Sequence, residues 1–409
     1  RFYPYGNYFS HVVGITNIDG NGVSGVEYSL NNTLLKQTVY LSLDVRVQVI
    51  LREALVSALK RNKAKRAFGI VINPKNGEVL ALSSVPDYNP NNRDNLVLSD
   101  MFNYVTQGVF EQGSTFKLFT IAMALDSGDF KPSDNFDVSK PIVKHGYVLV
   151  DDTYINGSIN LPQILMYSSD IGSALIARQL NVDMQKRYFS YMGLFSATTL
   201  EIPEKGDSVL PQNWSELTRI TLSYGYGMAI SQATAANAFM TLINGGYYVP
   251  LTLLKHKDNG KLQKYQVFKP ETSVLMRNIG RLVVAKGTGR AADVKGYNVG
   301  GKTGTAELIN KEKGGYHMDK VLSSVVTYFP AEDPQYLIIM SVEQPKRSKD
   351  NMWSRVAART IVPEAKEVIN NIGSLFAIPK ENDEADKINR DSQQQILQFV
   401  NNNENAITT

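Results

Sequence analysis

The sequence predicts an α+β fold: a five-stranded antiparallel sheet flanked by helices, with a mostly helical insertion between its first two strands and its last three. Two hairpin patterns indicate the sheet. Apolar runs at 67–72 and 78–85 enclose an Asn-Gly turn, and runs at 321–329 and 335–343 enclose a Pro-containing turn. The Gly-rich segment 296–308, which lies shortly before the second hairpin, is the fifth predicted strand.

Helical patterns fall on both sides of the insertion. The stretch 44–61 opens on an aspartate, a favoured N-cap residue, and repeats apolar residues at helical spacing. The stretch 114–128 is apolar on nearly all sides, which predicts a buried helix that ends at its glycine. Further helices are predicted over about 161–180 and 354–376, with Pro363 near the start of the second or bending it.

The two ends of the chain differ from this body. The opening stretch is rich in Gly and Asn and predicts extended, loop-rich structure. From Glu381 onward six acidic and two basic residues give a charge of 2 − 6 = −4. Because the whole chain has a net charge of +4, the residues before Glu381 carry a net charge of +8. We therefore predict three parts: 1–36, a main domain over 37–380, and an acidic, polar, disordered tail over 381–409.

Composition excludes several classes of function. The 409 residues contain no cysteine, which excludes disulfides, thiolate metal sites and a thiol nucleophile. The four histidines show neither metal-binding spacing nor a Gly-x-Ser-x-Gly elbow beside them. No Lys/Arg cluster is interleaved with aromatic residues, and no apolar run reaches the roughly 20 residues of a membrane helix. We predict no metal, no cofactor and no nucleic-acid partner.

A serine and a lysine three residues apart form the first candidate motif. Ser114 and Lys117 would lie on one helix face, with the Ser114 hydroxyl at the positive end of the helix dipole. Burial disfavours the ammonium form, so Lys117 could act as a base. Such a pair also arises by chance, although a lysine within an apolar helix is less easily explained that way.

Two further motifs lie downstream. In Lys302-Thr303-Gly304-Thr305 a strand rich in glycine suits close approach by a peptide that adds as another strand, and the lysine can pair with a carboxylate. A plain glycine turn is the alternative. Ser168-Ser169-Asp170 lies at the start of a helix-like run and, by itself, indicates only a helix N-cap.

Together, and in this order, the three motifs resemble the S-x-x-K, S-x-N and K-T-G signature of penicillin-binding proteins and serine β-lactamases. Further stretches are similar to class B penicillin-binding proteins: 1–14, 22–30, 41–44, 81–86, 113–117, 224–227, 244–246 and 329–331. β-Lactamases are shorter and lack such a leader. Within class B, HVVGITNIDGNGVSGVE and SYGYGMAISQ are more similar to the division-type, FtsI-like proteins than to the elongation type.

The resemblance implies roles for the motif residues. Ser114 would attack the penultimate D-Ala carbonyl of a peptidoglycan stem peptide, release the terminal D-Ala and pass the acyl group to a neighbouring stem. Lys117 would take the Ser114 proton, and Ser168 would relay a proton to the leaving amine. The backbone N–H groups of Ser114 and Thr305 would form the oxyanion hole.

The resemblance also implies a substrate-binding strand. Lys302, Thr303 and Thr305 would hold the substrate carboxylate, with Gly304 and Ser169 as further binding residues. Lys302 would also favour neutral Lys117 by like-charge repulsion.

One residue departs from the family pattern, because Asp170 stands where Asn is usual. An ionised Asp only accepts hydrogen bonds, and beside Lys117 it would favour the ammonium. We therefore expect that either Asp170 turns toward another cation, such as Lys302, or the site moves protons differently.

Partners and location follow from the same resemblance. It implies binding of D-Ala-D-Ala stem peptides, covalent inhibition by β-lactams, and contact with division or elongation membrane proteins. Residues 1–36 would be the remnant of an N-terminal pedestal, and an anchor upstream of Arg1 would hold the protein at the bacterial inner membrane. The catalytic domain would lie in the periplasm or outside the cell. The alternatives are a catalytically weak penicillin-binding scaffold or sensor, and a serine β-lactamase, although no E-x-x-L-N segment supplies a deacylating glutamate.

Overall fold

The computed structural model describes residues 1–256, 262–310, 312–346 and 355–380. The predicted acidic tail, 381–409, lies outside the described residues. The strands are β1 (Arg66–Ile72), β2 (Val79–Val85), β3 (Val109–Phe110), β4 (Asn135–Asp137), β5 (Ile142–Lys144), β6 (Tyr147–Leu149), β7 (Ser158–Asn160), β8 (Ile230–Ser231), β9 (Tyr247–Tyr248), β10 (Tyr265–Gln266), β11 (Gly300–Ile309), β12 (Tyr316–Phe329) and β13 (Tyr336–Glu343).

The α-helices are α1 (Ser10–Val13), α2 (Gly25–Ser29), α3 (Asn31–Leu34), α4 (Val45–Arg61), α5 (Lys117–Ser127), α6 (Leu161–Tyr167), α7 (Asp170–Gln179), α8 (Val182–Tyr191), α9 (Glu216–Ser223), α10 (Gln232–Ile243), α11 (Pro270–Lys286), α12 (Ala357–Thr360) and α13 (Val362–Leu375). Short 3₁₀ turns lie at Gly6–Phe9, Arg93–Asn95, Leu98–Asp100, Gly113–Phe116 and Arg290–Ala292. No helix within the described parts of the chain is both long and apolar enough to cross a bilayer.

The main sheet has five strands in the order β11-β12-β13-β1-β2, and every neighbouring pair is antiparallel. The predicted α+β class and the predicted origin of the five strands are therefore confirmed. The first hairpin and the last three strands meet where β1 pairs with β13, as in Ile70 opposite Ile339. This order leaves β11 at one edge of the sheet.

Both faces of the sheet are covered. On β1, Phe68, Ile70 and Ile72 belong to one apolar cluster, which extends into α5, α10 and α11. Ala67 and Val71 belong to a second cluster with α4 and α13. Successive side chains of a strand point to opposite faces, so this alternation places helices on both sides of the sheet.

Several boundaries differ from the predictions. The predicted helix over 161–180 is two helices, α6 and α7, because Ser168 has a left-handed φ of 61° between them. The predicted last helix is also divided: α13 begins at Val362 with Pro363 in its first turn, where a proline needs no N–H partner. Strand β12 begins at Tyr316, five residues before the predicted 321.

The N-terminal segment was predicted to be extended, and that prediction is wrong. It forms one 3₁₀ turn and the short helices α1, α2 and α3. Its buried Val12 and Val26 join the larger apolar cluster, which packs the segment onto the domain. Short runs of this kind lack the length that makes a helical period visible in sequence.

Candidate active site

Ser114 lies in the 3₁₀ turn that leads into α5, at the junction of three parts of the chain. Gly113 has a φ of 53°, and a Cβ there would lie 2.6 Å from the carbonyl oxygen of Thr305. A Cβ on Gly225 would lie 2.1 Å from the carbonyl oxygen of Gly113. Only glycine allows these close approaches, which bring the 3₁₀ turn that precedes α5 against strand β11.

Lys117 connects Ser114 to the second motif. Its side chain is 0% exposed, and its Nζ donates to Ser114 Oγ at 3.0 Å and to Ser168 Oγ at 3.0 Å. It also donates to the carbonyl oxygen of Ser168. The predicted meeting of these three side chains is present in the structure, and an amine hydrogen-bonded to a serine hydroxyl can take that proton.

Ser168 lies between two lysines. Lys302 donates from Nζ to Ser168 Oγ at 3.0 Å and to the carbonyl oxygen of Thr303 at 2.9 Å. The left-handed backbone of Ser168, where α6 ends and before α7 begins, directs its hydroxyl and carbonyl groups to this point. Its hydroxyl is therefore shared by the lysines of the first and third motifs.

Lys302 is carried on edge strand β11 and is 1% exposed. Burial, together with the positive charge of Lys117, lowers the pKa of Lys302 well below its ordinary value. Two lysines so close together do not readily carry a positive charge at the same time, because like charges repel. The two lysines are therefore near enough for the predicted effect of Lys302 on Lys117.

Asp170 turns toward Lys117. Its Oδ1 lies 2.6 Å from Lys117 Nζ, and its side chain is 24% exposed where it lines the cleft. The expectation that it turns away from Lys117 toward another cation is therefore wrong. Of the two expectations, the one that remains is that the site moves protons differently.

Ser169 does not face the cleft. It is 1% exposed; its Oγ donates to Asp151 Oδ2 at 2.6 Å and accepts from the backbone N–H of Gly172 at 2.9 Å. It is the N-cap of α7, which argues against the predicted contact of its side chain with substrate. Sequence reasoning missed Asp151, whose pKa is raised by burial. No motif marks this residue, so the signal was absent from the sequence.

The surroundings of Gly304 explain why the third motif has a glycine at this position. A Cβ there would lie 2.8 Å from Thr115 Cγ2 and 3.0 Å from the backbone nitrogen of Thr115. The segment that approaches this glycine is therefore the 3₁₀ turn that leads into α5, and not only a substrate, to which the close approach is assigned in the prediction. Thr305 lines the cleft and Thr303 is 9% exposed.

A cleft of about 620 Å³ opens in front of Ser114. Its lining residues are Ser114, Tyr147, Val148, Leu149, Val150, Asp152, Asp170, Thr221, Tyr224, Tyr226, Thr305, Glu307, Tyr316, Arg355 and Val356. The hydroxyl of Tyr226 donates to Glu307, and those of Tyr147 and Tyr224 share a hydrogen bond. Sequence reasoning gave these tyrosines no role, although Tyr224 and Tyr226 lie in a stretch noted for its resemblance.

Comparison with known proteins agrees with this geometry. The sequence profile of the penicillin-binding protein transpeptidase domain matches residues 67–364. The probable peptidoglycan D,D-transpeptidase FtsI of Caulobacter vibrioides is 32% identical over 394 residues, which cover 93% of this chain and 67% of that protein. The chain spans about two thirds of the length of the curated relatives that it matches.

Solved structures share the fold. The TP domain of Burkholderia pseudomallei penicillin-binding protein 3 matches with a TM-score of 0.74 at 28% identity, over 84% of this chain and 98% of that one. Penicillin-binding protein 3 of Mycobacterium tuberculosis, complexed with aztreonam, matches with a TM-score of 0.85 at 23% identity, over 93% and 91% of the two chains. The second likeness concerns the fold alone. The chain belongs to the penicillin-binding protein transpeptidase family, whose members are serine acyl-transfer enzymes, as a class B member of the FtsI type.

Proposed function

We propose that this chain catalyses peptidoglycan D,D-transpeptidation with Ser114 as the nucleophile. The observation that carries the proposal is the hydrogen-bonded series Ser114–Lys117–Ser168–Lys302, with each contact at 3.0 Å. The series joins a hydroxyl in the cleft to a buried amine, which is the pairing that serine acyl transfer without histidine requires.

The reaction has two steps. Neutral Lys117 takes the Ser114 proton as Oγ attacks the penultimate D-Ala carbonyl, and the C–N bond to the terminal D-Ala breaks. Ser168, bonded to Lys117, passes a proton to the departing amine, which leaves as D-Ala. The amine of a second stem peptide then attacks the ester carbonyl and forms an amide bond, while the C–O bond to Ser114 breaks. The proton of that amine passes through the same groups to Ser114 Oγ, which becomes a hydroxyl again.

Strand β11 would hold the substrate. Because it lies at an edge of the main sheet, an extended peptide can add beside it. Its Thr303 and Thr305, with Lys302, would bind the substrate carboxylate, and Gly304 keeps the strand close to the 3₁₀ turn that holds Ser114. The backbone N–H groups of Ser114 and Thr305 would stabilise the oxyanion, a contribution of about 3 kcal/mol per donor.

The biological setting of this reaction is also proposed. The FtsI names of the relatives support a role in septal cell-wall synthesis, with the catalytic domain outside the cytoplasm and division membrane proteins as partners. Attachment through an N-terminal membrane anchor belongs to the same proposal. The division into 1–36, 37–380 and 381–409 stays a prediction.

Fluorescent penicillin labelling followed by peptide mass spectrometry tests the assignment. β-Lactams resemble D-Ala-D-Ala, and membership of the penicillin-binding protein transpeptidase family supports such binding. We expect a stable adduct on Ser114 that Ser114→Ala abolishes. Folded protein without an adduct would refute the proposal, and rapid turnover of a chromogenic cephalosporin would indicate a β-lactamase instead.

A weak, penicillin-binding scaffold is the second candidate, favoured by the 2.6 Å contact between Lys117 and Asp170. A carboxylate there favours the ammonium, which cannot accept the Ser114 proton. Release of D-Ala from a D-Ala-D-Ala stem peptide separates the two candidates. A scaffold would be labelled by penicillin slowly and would release no D-Ala.

A further inference from the structure

We propose that Asp151 is a positioning residue of the proposed acyl-transfer site: it fixes the N-terminus of α7 and thereby holds Ser168 against the two lysines. The inference rests on the proposed function, because it assigns a part in that reaction to a residue outside all three motifs. Asp151 acts through its neighbours. The cleft is lined by the adjacent Asp152, and Asp151 is not among the described residues that form its wall.

The carboxylate of Asp151 accepts three hydrogen bonds from three consecutive residues. Oδ1 accepts from the backbone N–H of Asp170 at 2.6 Å and from that of Ile171 at 2.9 Å. Oδ2 accepts from Ser169 Oγ at 2.6 Å. Three hydrogen bonds to one carboxylate fix both the position and the orientation of the turn 169–171.

These bonds complete the cap of α7. The first N–H groups of a helix have no partner within the helix. Asp151 takes those of Asp170 and Ile171, and the Ser169 hydroxyl takes that of Gly172. An ionised carboxylate is also favoured at the positive end of a helix.

The cap lies directly next to the reacting groups. Ser168 precedes the capped turn and occupies a left-handed conformation that a serine seldom adopts without support. Its hydroxyl must stay 3.0 Å from both Lys117 and Lys302. We infer that the preceding helix end, the capped turn and this strained residue form one unit, in which loss of Asp151 would let Ser168 move.

The carboxylates of Asp151 and Asp170 have different parts in this geometry. The carboxylate of Asp170 reaches Lys117, whereas the backbone N–H of the same residue is held by Asp151. Asp151 therefore sets the position from which the Asp170 carboxylate reaches its lysine. A shift of about 1 Å in such a group can lower a rate about a hundredfold.

The test compares Asp151→Ala and Asp151→Asn with wild type in fluorescent penicillin labelling, measuring the acylation rate constant separately from the dissociation constant of the initial complex. We expect Asp151→Ala to lower the rate constant about tenfold or more while the dissociation constant changes less than about twofold. Asp151→Asn should recover most of the rate, because its amide oxygen can still accept from the two backbone N–H groups.

Asp44→Ala is the matched control. Asp44 accepts from the backbone N–H of Arg46 at the start of α4, a cap of the same chemistry outside the site. It should lower the melting temperature and leave the acylation rate unchanged. If Asp151→Ala does not fold, Asp151→Glu, which displaces the carboxylate by one methylene, must show the loss of rate instead.

The outcomes separate the inference from the proposed function. Absence of a Ser114 adduct in the wild type refutes the proposed function itself. Labelling of the wild type with an unchanged rate in folded Asp151→Ala or Asp151→Glu overturns only the role of Asp151. A loss of rate in Asp44→Ala equal to that in Asp151→Ala would also overturn it, because general loss of stability would then explain both.

Discussion

The Nζ atom of Lys117 lies 2.6 Å from Oδ1 of Asp170, in a pair of which the lysine is fully buried and the carboxylate is 24% exposed. The same Nζ donates to Ser114 and Ser168. The proposed base is thus surrounded by two hydroxyl groups, the carbonyl oxygen of Ser168 and one carboxylate. The carboxylate stabilises the protonated amine, which opposes the transfer of a proton from Ser114.

Asp170→Asn tests this opposition. Asn keeps an oxygen in the same place and removes the negative charge beside the amine that is to accept the Ser114 proton. We expect labelling by fluorescent penicillin at neutral pH to accelerate by about threefold to tenfold. Slower labelling would mean that the reaction depends on the carboxylate.

The hydroxyl and the left-handed backbone of Ser168 should affect different properties, namely the acylation rate and the stability. Two substitutions distinguish these effects. Both Ser168→Ala and Ser168→Gly remove the oxygen that Lys117 and Lys302 share, so both should acylate at least about a hundredfold more slowly. Glycine adopts the φ of 61° without strain. We therefore expect Ser168→Gly to be about 1 kcal/mol more stable than Ser168→Ala by chemical denaturation. Equal stabilities would contradict the strain argument.

Gly304→Ala should separate strand β11 from the 3₁₀ turn that precedes α5. The new Cβ would lie 2.8 Å from Thr115 Cγ2, which forces the strand outward. We expect a loss of about 1–3 kcal/mol of stability and a strong fall in the acylation rate.

Gly128→Ala is the control for that substitution. Its Cβ meets nothing within 4 Å, but its φ of 83° makes alanine unfavourable by about 1 kcal/mol. This variant should lose stability and keep its acylation rate. If both variants lose the rate, close contact at Gly304 is not the cause.

Lys302→Met should stabilise the protein while it abolishes acylation. Burial lowers the pKa of Lys302 in the folded state, so the unfolded state binds its proton more tightly. Wild-type stability therefore rises as the pH increases through that lowered pKa toward the unfolded value of about 10.4. We expect Met to add on the order of 1 kcal/mol at neutral pH, an advantage that shrinks at alkaline pH.

Lys75→Met provides the comparison for Lys302→Met in denaturation curves recorded across pH. Lys75 pairs with Asp333 at the surface, with side-chain exposures of 53% and 67%. Its loss should change stability by less than about 1 kcal/mol, with little dependence on pH. A destabilised Lys302→Met at neutral pH would show that the hydrogen bonds of Lys302 outweigh its cost of burial.

The parts of the fold that could be predicted depend on local patterns. The hairpin β1–β2 and helix α4 carry clear periods and turn or cap residues, and they were predicted within a residue or two. The break at Ser168 was not predicted, although the Ser-Ser-Asp run there is an N-cap signature that fits the start of α7. The groups that meet the Ser168 hydroxyl could not be predicted from local patterns, since the two lysines lie 51 and 134 residues away.

The site shows the same division. Ser114, Lys117, Ser168 and Lys302 could be found from motifs, because their spacing within each motif is local. Asp151 could not, because it is an isolated aspartate whose partners are backbone groups of a distant turn. The direction of Asp170 likewise depends on the packing of α7 against α5, which no sequence pattern specifies.

The wide separation of the reacting residues along the chain has a consequence for refolding. Ser114 and Lys117 lie on one local turn, but Lys302 reaches Ser168 across 134 residues of chain. Contacts between such distant segments form late and slowly, because long loops must close first. During refolding from denaturant, helical circular dichroism should therefore recover before penicillin labelling does, which makes acylation of Ser114 a reporter of the last long-range contacts to form.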